Sequence, residues 1–316
     1  MSEPIYVDPE MATALERLAS EYPPAPDNEV FNLQNVRAQT EKTLASLNQN
    51  PPPISCVENI TIDGLFGPRK ARIYDDVPRR KSAPGLIYFH GGGWILGDLE
   101  TEDAKLRRMA KYSGVRIISY DYVLAPEHKF PDPLDDCYAA ALTIRGHADT
   151  YGLDPSRIAI GGSSAGANLA LATALKLRDG NQDWLKFMPL FFGSYDMVNR
   201  TPSWDLFGKG YMLDADYMGW LFGLYLSKDT KRNNPLASPL FANLAGLPPA
   251  YLNAAGLDIL RDENRALAKK LKTAGVKTQY EEIRGVPHGY TLLAKEVTAA
   301  NNAIKSAAQA LSAALT

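Results

Sequence analysis

The spacing of apolar residues changes near residue 50. Before it, Met11, Leu15 and Leu18 fall at helical intervals, and Val36, Leu44 and Leu47 do so more loosely. Pro23-Pro24-Ala25-Pro26 separates the two predicted helices, and Pro51-Pro52-Pro53 ends the segment. After it, short apolar runs recur at 60–62, 71–74, 86–89, 115–119, 158–160, 188–192, 251–255 and 278–283. From Leu86 onward the gaps between runs carry helix-like segments, at 102–112, 134–144, 166–177 and 262–274. That alternation predicts an α/β fold with a mostly parallel, eight-stranded sheet and helices on both faces. The first two runs stand close together and predict an antiparallel hairpin at the sheet edge.

One interval breaks the alternation. Between Phe192 and Tyr251 no clear strand appears. Residues 214–227 read as a helix with an aromatic, apolar face of Tyr217, Trp220, Leu221 and Leu224, and Asp214 is placed as its N-cap. Two readings stand side by side: a lid over a site, or an extra core helix. The division expected is a helical cap segment over 1–50, a core over 51–195 and 236–316, and a cap insertion over 196–235.

Bulk properties narrow the function classes. The chain has 316 residues, of which 45% are apolar and 22% charged, so it can bury a sizeable core. A formal net charge of -2 argues against a nucleic acid or an anionic membrane as partner and favours a small neutral or apolar ligand. Cys56 and Cys137 form neither a disulfide framework nor a metal-like cluster, which fits a reducing compartment. The acidic, proline-broken start MSEPIYVDPEMATALERL lacks the basic and apolar regions of a secretory signal, and no stretch has the length of a membrane span. A soluble, cytoplasmic protein is expected.

The chemistry gathers at strand ends. Gly162-Ser163-Ser164-Ala165-Gly166 follows the run 158–160 and precedes a helical segment. A serine at so sharp a strand-to-helix turn is pushed outward, and flanking glycines let strand and helix approach. The helix start presents free N–H groups that suit a developing oxyanion. A phosphate loop would want a lysine after the glycines, and none is present. His90-Gly91-Gly92-Gly93-Trp94 follows the run 86–89. Three consecutive glycines leave backbone N–H groups unobstructed, which is what a tetrahedral intermediate needs. A merely flexible turn would leave the adjacent His and Trp without a purpose.

Asp258 ends the run 251–255 through Gly256 and Leu257, and His288 follows the run 278–283. In an open α/β sheet, groups at the carboxyl ends of parallel strands meet at one edge. Of the four histidines, His147 lies in a polar stretch, His128 in a surface-type turn, and His90 ahead of the glycines as a ring that fixes their loop. His288 is left as the base. Asp262 rivals Asp258 as its partner, but it opens a helix, where an acid is simply favourable. Trp94 and Tyr290 are read equally as pocket or core.

Together these residues resemble the hormone-sensitive-lipase family of α/β-hydrolase esterases. The resemblance runs from about residue 85 to 292, through His90-Gly91-Gly92-Gly93-Trp94, Tyr120-Asp121-Tyr122-Val123-Leu124-Ala125-Pro126-Glu127-His128, the serine elbow, Gly256-Leu257-Asp258-Ile259-Leu260-Arg261-Asp262-Glu263 and His288-Gly289. The order Ser, Asp, His matches that superfamily. The resemblance implies an α/β-hydrolase fold with a helical cap. It implies Ser164, His288 and Asp258 as catalytic triad, and an oxyanion hole from the N–H groups of Gly91, Gly92 and Ala165. A carboxylesterase for short- to medium-chain acyl esters follows, with a small apolar ester as substrate, no cofactor or metal, and a tendency to form homodimers. Ser163, Ala167 and Val123 depart from the family pattern, which usually has Asp or Thr, Gly and Arg there. Two other readings remain: an amidase or formamidase on the same triad, and a non-catalytic small-molecule receptor.

Overall fold

A computed structural model describes residues 5–22, 31–77 and 80–316. The proline-rich break at 23–26 lies outside the described residues. Eight strands form one sheet: β1 (Cys56–Gly64), β2 (Gly67–Asp75), β3 (Ala83–Phe89), β4 (Arg116–Tyr120), β5 (Leu153–Ser163), β6 (Met188–Phe191), β7 (Ala250–Leu257) and β8 (Thr278–Pro287), in the spatial order β1-β2-β4-β3-β5-β6-β7-β8. Each of the eight apolar runs falls on a strand. Pairing is antiparallel for β1 with β2 and for β2 with β4, and parallel from β4 through β8.

Helices cover both faces. They are α1 (Pro9–Glu21), α2 (Leu33–Leu47), α3 (Asp103–Ser113), α4 (Asp132–Gly146), α5 (Ala165–Asp179), α6 (Pro202–Phe207), α7 (Ala215–Tyr225), α8 (Arg261–Thr273) and α9 (Thr298–Leu315). The two-residue period of a strand divides its side chains between two cores. Ile87 and Phe89 of β3 join the cluster beneath α4, α5 and α8, while Leu86 and Tyr88 join the one beneath α3 and α9. Burial on both faces is why these strands are nearly continuous apolar runs. Among the described residues, no helix is long and apolar enough to cross a membrane.

The register of the parallel strands decides what meets at the carboxyl edge. Phe89 lies beside Gly162, so the glycine loop after β3 emerges next to the serine elbow after β5. Leu257 lies beside Pro287, so Asp258 and His288 emerge together.

The two segments outside the alternation differ in how they attach. Helix α1 docks low, through Asp8 N–H to the Gly285 carbonyl (2.9 Å) and Arg17 to Glu296 (2.8 Å). Helix α2 lies over the carboxyl edge, where Arg37 forks onto Glu127 (2.6 and 2.8 Å) and also donates to the Ile95 and Ala125 carbonyls. Helix α7 begins after Asp214 as expected, but the Asp214 carboxylate accepts the Gly210 N–H (2.9 Å) and makes no cap bond to the helix. It closes the preceding turn instead.

Candidate active site

Ser164 sits between β5 and α5 with φ 52° and ψ -118°, a conformation that non-glycine residues rarely adopt. Its N–H is tied to the Phe191 carbonyl (2.9 Å). The flanking glycines are there for space. A Cβ on Gly166 would stand 2.1 Å from the Phe89 carbonyl oxygen, and one on Gly162 2.4 Å from the Gly166 backbone. Strand, loop and helix therefore close on each other only without side chains at these two positions.

His288 follows β8 and is mostly buried, with its ring aligned between two partners. Nε2 lies 2.8 Å from Ser164 Oγ, and Nδ1 lies 2.7 Å from Asp258 Oδ2. Asp258 is 1% exposed, and its other oxygen accepts the Leu260 N–H (2.9 Å), which fixes the carboxylate plane. The rival Asp262 is occupied elsewhere. It accepts the Ser203 N–H (2.9 Å) and pairs with Arg261 and Arg265. The other histidines also go where the sequence put them. His147 is exposed, and His128 lies at the surface beside Asp132.

The glycine loop is held between two aromatic stacks. The His90 ring lies on Tyr122 (4.4 Å between centroids) with Nδ1 against the Gly91 carbonyl (2.7 Å), and Trp94 lies on Tyr225 (4.5 Å). That is the purpose of the His and Trp that bracket the glycines. Gly92 (φ 124°) and Gly93 (φ 60°) take left-handed conformations open to glycine.

The structure corrects one expectation here. Gly91 N–H donates to Glu102 Oε1 (3.0 Å), so it is already used and is not a free oxyanion donor. Among the described residues, the N–H groups of Gly92, Gly93 and Ala165 have no protein acceptor. The available donors are thus the second and third glycines with Ala165.

Ser164, His288, Gly92 and Gly93 open onto a cavity of about 200 Å³. Its roof comes from both segments outside the core: Thr40 and Leu44 of α2, Leu213, and Tyr217, Met218 and Leu221 of α7. Leu221 packs on the loop so closely that a Cβ on Gly93 would stand 2.6 Å from it. Trp94 touches this cavity, whereas Tyr290 is core, with its hydroxyl on Asn253 Oδ1 (2.6 Å). Among the described residues, no three metal-ligating side chains come together.

Two groups of residues about the site escape sequence reasoning. Phe192, at φ 35°, sets its ring edge-on to His288 (5.1 Å, 71°). Behind the elbow lies a buried polar set of Tyr88, Glu102, Lys105 and Ser163. Its one trace in the sequence is position: Glu102, Lys105 and Met109 share a helix face with buried apolar residues, at intervals of three and four.

A parallel sheet in this order, with a serine at its central elbow joined to an imidazole after the last strand, is the architecture of the α/β hydrolases. The sequence pattern of the α/β-hydrolase fold matches residues 86–292. The chain is 33% identical to carboxylesterase NlhH of Mycobacterium tuberculosis, over 100% of this chain and 99% of that protein. It is 38% identical to carboxylic ester hydrolase LipN of the same organism, over 74% of this chain and 64% of LipN. Among solved structures, a hyperthermophilic esterase from the archaeon Pyrobaculum calidifontis superposes with a TM-score of 0.92 at 36% identity, covering 98% of this chain and 99% of that one. The chain belongs to the α/β-hydrolase fold family, in its hormone-sensitive-lipase branch.

Proposed function

We propose that the protein is a carboxylesterase that cleaves esters of short to medium acyl chains through an acyl-enzyme on Ser164. The observation that carries this is the unbroken line Ser164 Oγ–His288–Asp258, at 2.8 and 2.7 Å, opening on an apolar cavity of about 200 Å³. The names of the similar proteins support it.

In this reading His288 Nε2 takes the Ser164 proton as Oγ attacks the ester carbonyl. Asp258 accepts from Nδ1–H, holds the productive tautomer and stabilises the imidazolium. The N–H groups of Gly92, Gly93 and Ala165 bind the oxyanion as it forms. His288 then returns the proton to the leaving alcohol. Water, activated by the same ring, releases the acid. Helix α2 and residues 196–235 act together as the cap, because α2 and α7 both roof the cavity; α1, the other helix of the N-terminal segment, lies instead against Gly285 and Glu296 and is no part of the roof. The roof bounds the acyl chain, which is why long chains are disfavoured.

The test is a rate series over p-nitrophenyl esters of increasing acyl length, with the matching anilides beside it, on the wild type and Ser164→Ala. We expect the ester rate to peak at short to medium chains, the anilides to lag, and Ser164→Ala to lose at least about 10³-fold in kcat. Near-wild-type turnover in that variant would end the proposal. Rates climbing steadily to the longest chains would end its chain-length part.

A further inference from the structure

The buried polar set behind the elbow is closed on itself. Lys105 Nζ, with no exposed side-chain surface, donates to Glu102 Oε2 (2.7 Å), to Tyr88 OH (2.7 Å) and to Ser163 Oγ. All three ammonium protons are used. Tyr88 OH donates to Glu102 Oε2 (2.6 Å), and Ser163 Oγ donates to the same oxygen (2.9 Å). The ammonium also lies 3.8 Å above the Phe191 ring. The one oxygen left over, Glu102 Oε1, receives the Gly91 N–H. The set thus touches the catalytic machinery at two points: the residue before the nucleophile and the first residue of the glycine loop.

Charge sharpens the picture. Burial works to raise the Glu102 pKa, but Lys105, Tyr88 and the Gly91 N–H outweigh it and hold the carboxyl below its ordinary value. Burial pushes Lys105 down, against the pull of Glu102. The pair is an ion pair with no net charge. The other groups facing Glu102 are uncharged: Tyr88 from β3, Tyr122 after β4, Ser163 from β5 and the loop backbone. Asp103, the next residue, is turned away to Arg72, Arg107 and Tyr74. Lys105 is therefore the cation that balances Glu102.

We propose that Glu102 and Lys105 are positioning residues for ester hydrolysis: Glu102 anchors Gly91 so that the next two N–H groups stay aimed at the oxyanion, and Lys105 keeps that anchor from placing a net negative charge beside it. This rests on Ser164 being the nucleophile. Without Lys105, the carboxyl keeps its desolvation and loses its cation, so its pKa rises. At low pH it is neutral and still accepts from Gly91. As pH rises it ionises, and an unbalanced negative charge opposes the developing oxyanion.

The experiment compares kcat and KM against pH for the wild type and three variants: Lys105→Met, Glu102→Gln with Lys105→Met, and Glu102→Leu with Lys105→Met. Lys105→Met alone should show an alkaline fall in kcat, at constant KM, that the wild type lacks. Adding Glu102→Gln removes the ionisable group but keeps an acceptor, so that fall should vanish and kcat should recover. Adding Glu102→Leu removes the acceptor. A displacement of the loop by about 1 Å costs on the order of 100-fold, so kcat there should lie about 10- to 100-fold below the Glu102→Gln pair, with KM unchanged. Equal kcat in the two double variants overturns the proposal, as does an alkaline fall that persists with Glu102→Gln. Both double variants are neutral in the core, so they decide the matter even where the single variant does not fold. Ser164→Ala, run alongside, reports on the nucleophile separately: full activity there would sink the triad, whereas matched kinetics in the double variants would sink only the positioning role.

Discussion

Leu221 offers a measured handle on chain length. It is 3% exposed, stands on α7, and forms the wall of the cavity directly over Gly93. Leu221→Ala deletes three side-chain carbons from that wall. A substrate longer by three methylenes can refill the space. At about 0.8 kcal/mol for each buried methylene, the refilled site gains about 2.4 kcal/mol. That is close to a fifty-fold change in the ratio of kcat/KM between the longer chain and the wild-type optimum. The cost to stability is about 2 kcal/mol, at the low end for a buried leucine, because one side of it already faces a cavity. The assay is the p-nitrophenyl ester series at a temperature well below unfolding, with both proteins normalised to active sites. The optimum should move up by two or three carbons. An unmoved optimum, with both enzymes folded, would refute the placement of the acyl chain against α7.

Two further perturbations test other contacts. Phe192→Ala removes the ring that meets His288 edge-on, a contact worth about 0.5–1.5 kcal/mol, so kcat/KM should fall about 2- to 12-fold; unchanged rates would show that the imidazole needs no such support. The fork of Arg37 holds the Glu127 carboxyl down at about 2, against an ordinary value of about 4.3. A pKa depressed by folding contributes stability in full above the ordinary carboxyl range and loses it as pH falls toward the folded value. The difference in Tm between the wild type and Arg37→Gln should therefore be full at about pH 6 and narrow below about pH 4. A constant difference across that range would mean that the two carbonyl contacts of Arg37, and not Glu127, secure α2.

The sheet, and the convergence of Ser164, Asp258 and His288 at one edge, were legible because each is set by local pattern plus topology. Strands buried on both faces leave unbroken apolar runs, and parallel strands deliver their following residues to one edge. Choosing His288 took elimination among four histidines, and preferring Asp258 to Asp262 took its place at a strand end together with the family resemblance. Choosing Gly91 as a donor failed for a different reason. Three adjacent glycines are equivalent in sequence, and a carboxylate eleven residues away decides which N–H is taken. Lys105 drew no expectation, because its partners Tyr88 and Ser163 come from strands β3 and β5 and not from its own helix, and only its place on the buried face of α3 hints at them. Helix α9 went without an expectation because its alanine-rich sequence offers little contrast between faces, although Ala300, Ala303, Ala307 and Leu311 are buried along one stripe. The choice between lid and core helix for α7 has a mixed answer. Its Tyr225 packs in the core against Trp94, and its Leu221 walls the cavity.

The hydroxyl of Ser163 has a bearing on how this site tolerates change. It accepts from Lys105 and donates to Glu102 Oε2 (2.9 Å). Here the space behind the elbow already holds one carboxylate and one ammonium, with every donor assigned. A second carboxylate introduced by Ser163→Asp would enter a compartment with no cation to spare. Positions 102, 105 and 163 thus form one unit of packing and charge: a residue acceptable at one depends on those at the other two. A change of charge at any one of them is accommodated only with a matching change at another, because the space holds a single carboxylate and a single ammonium, both buried.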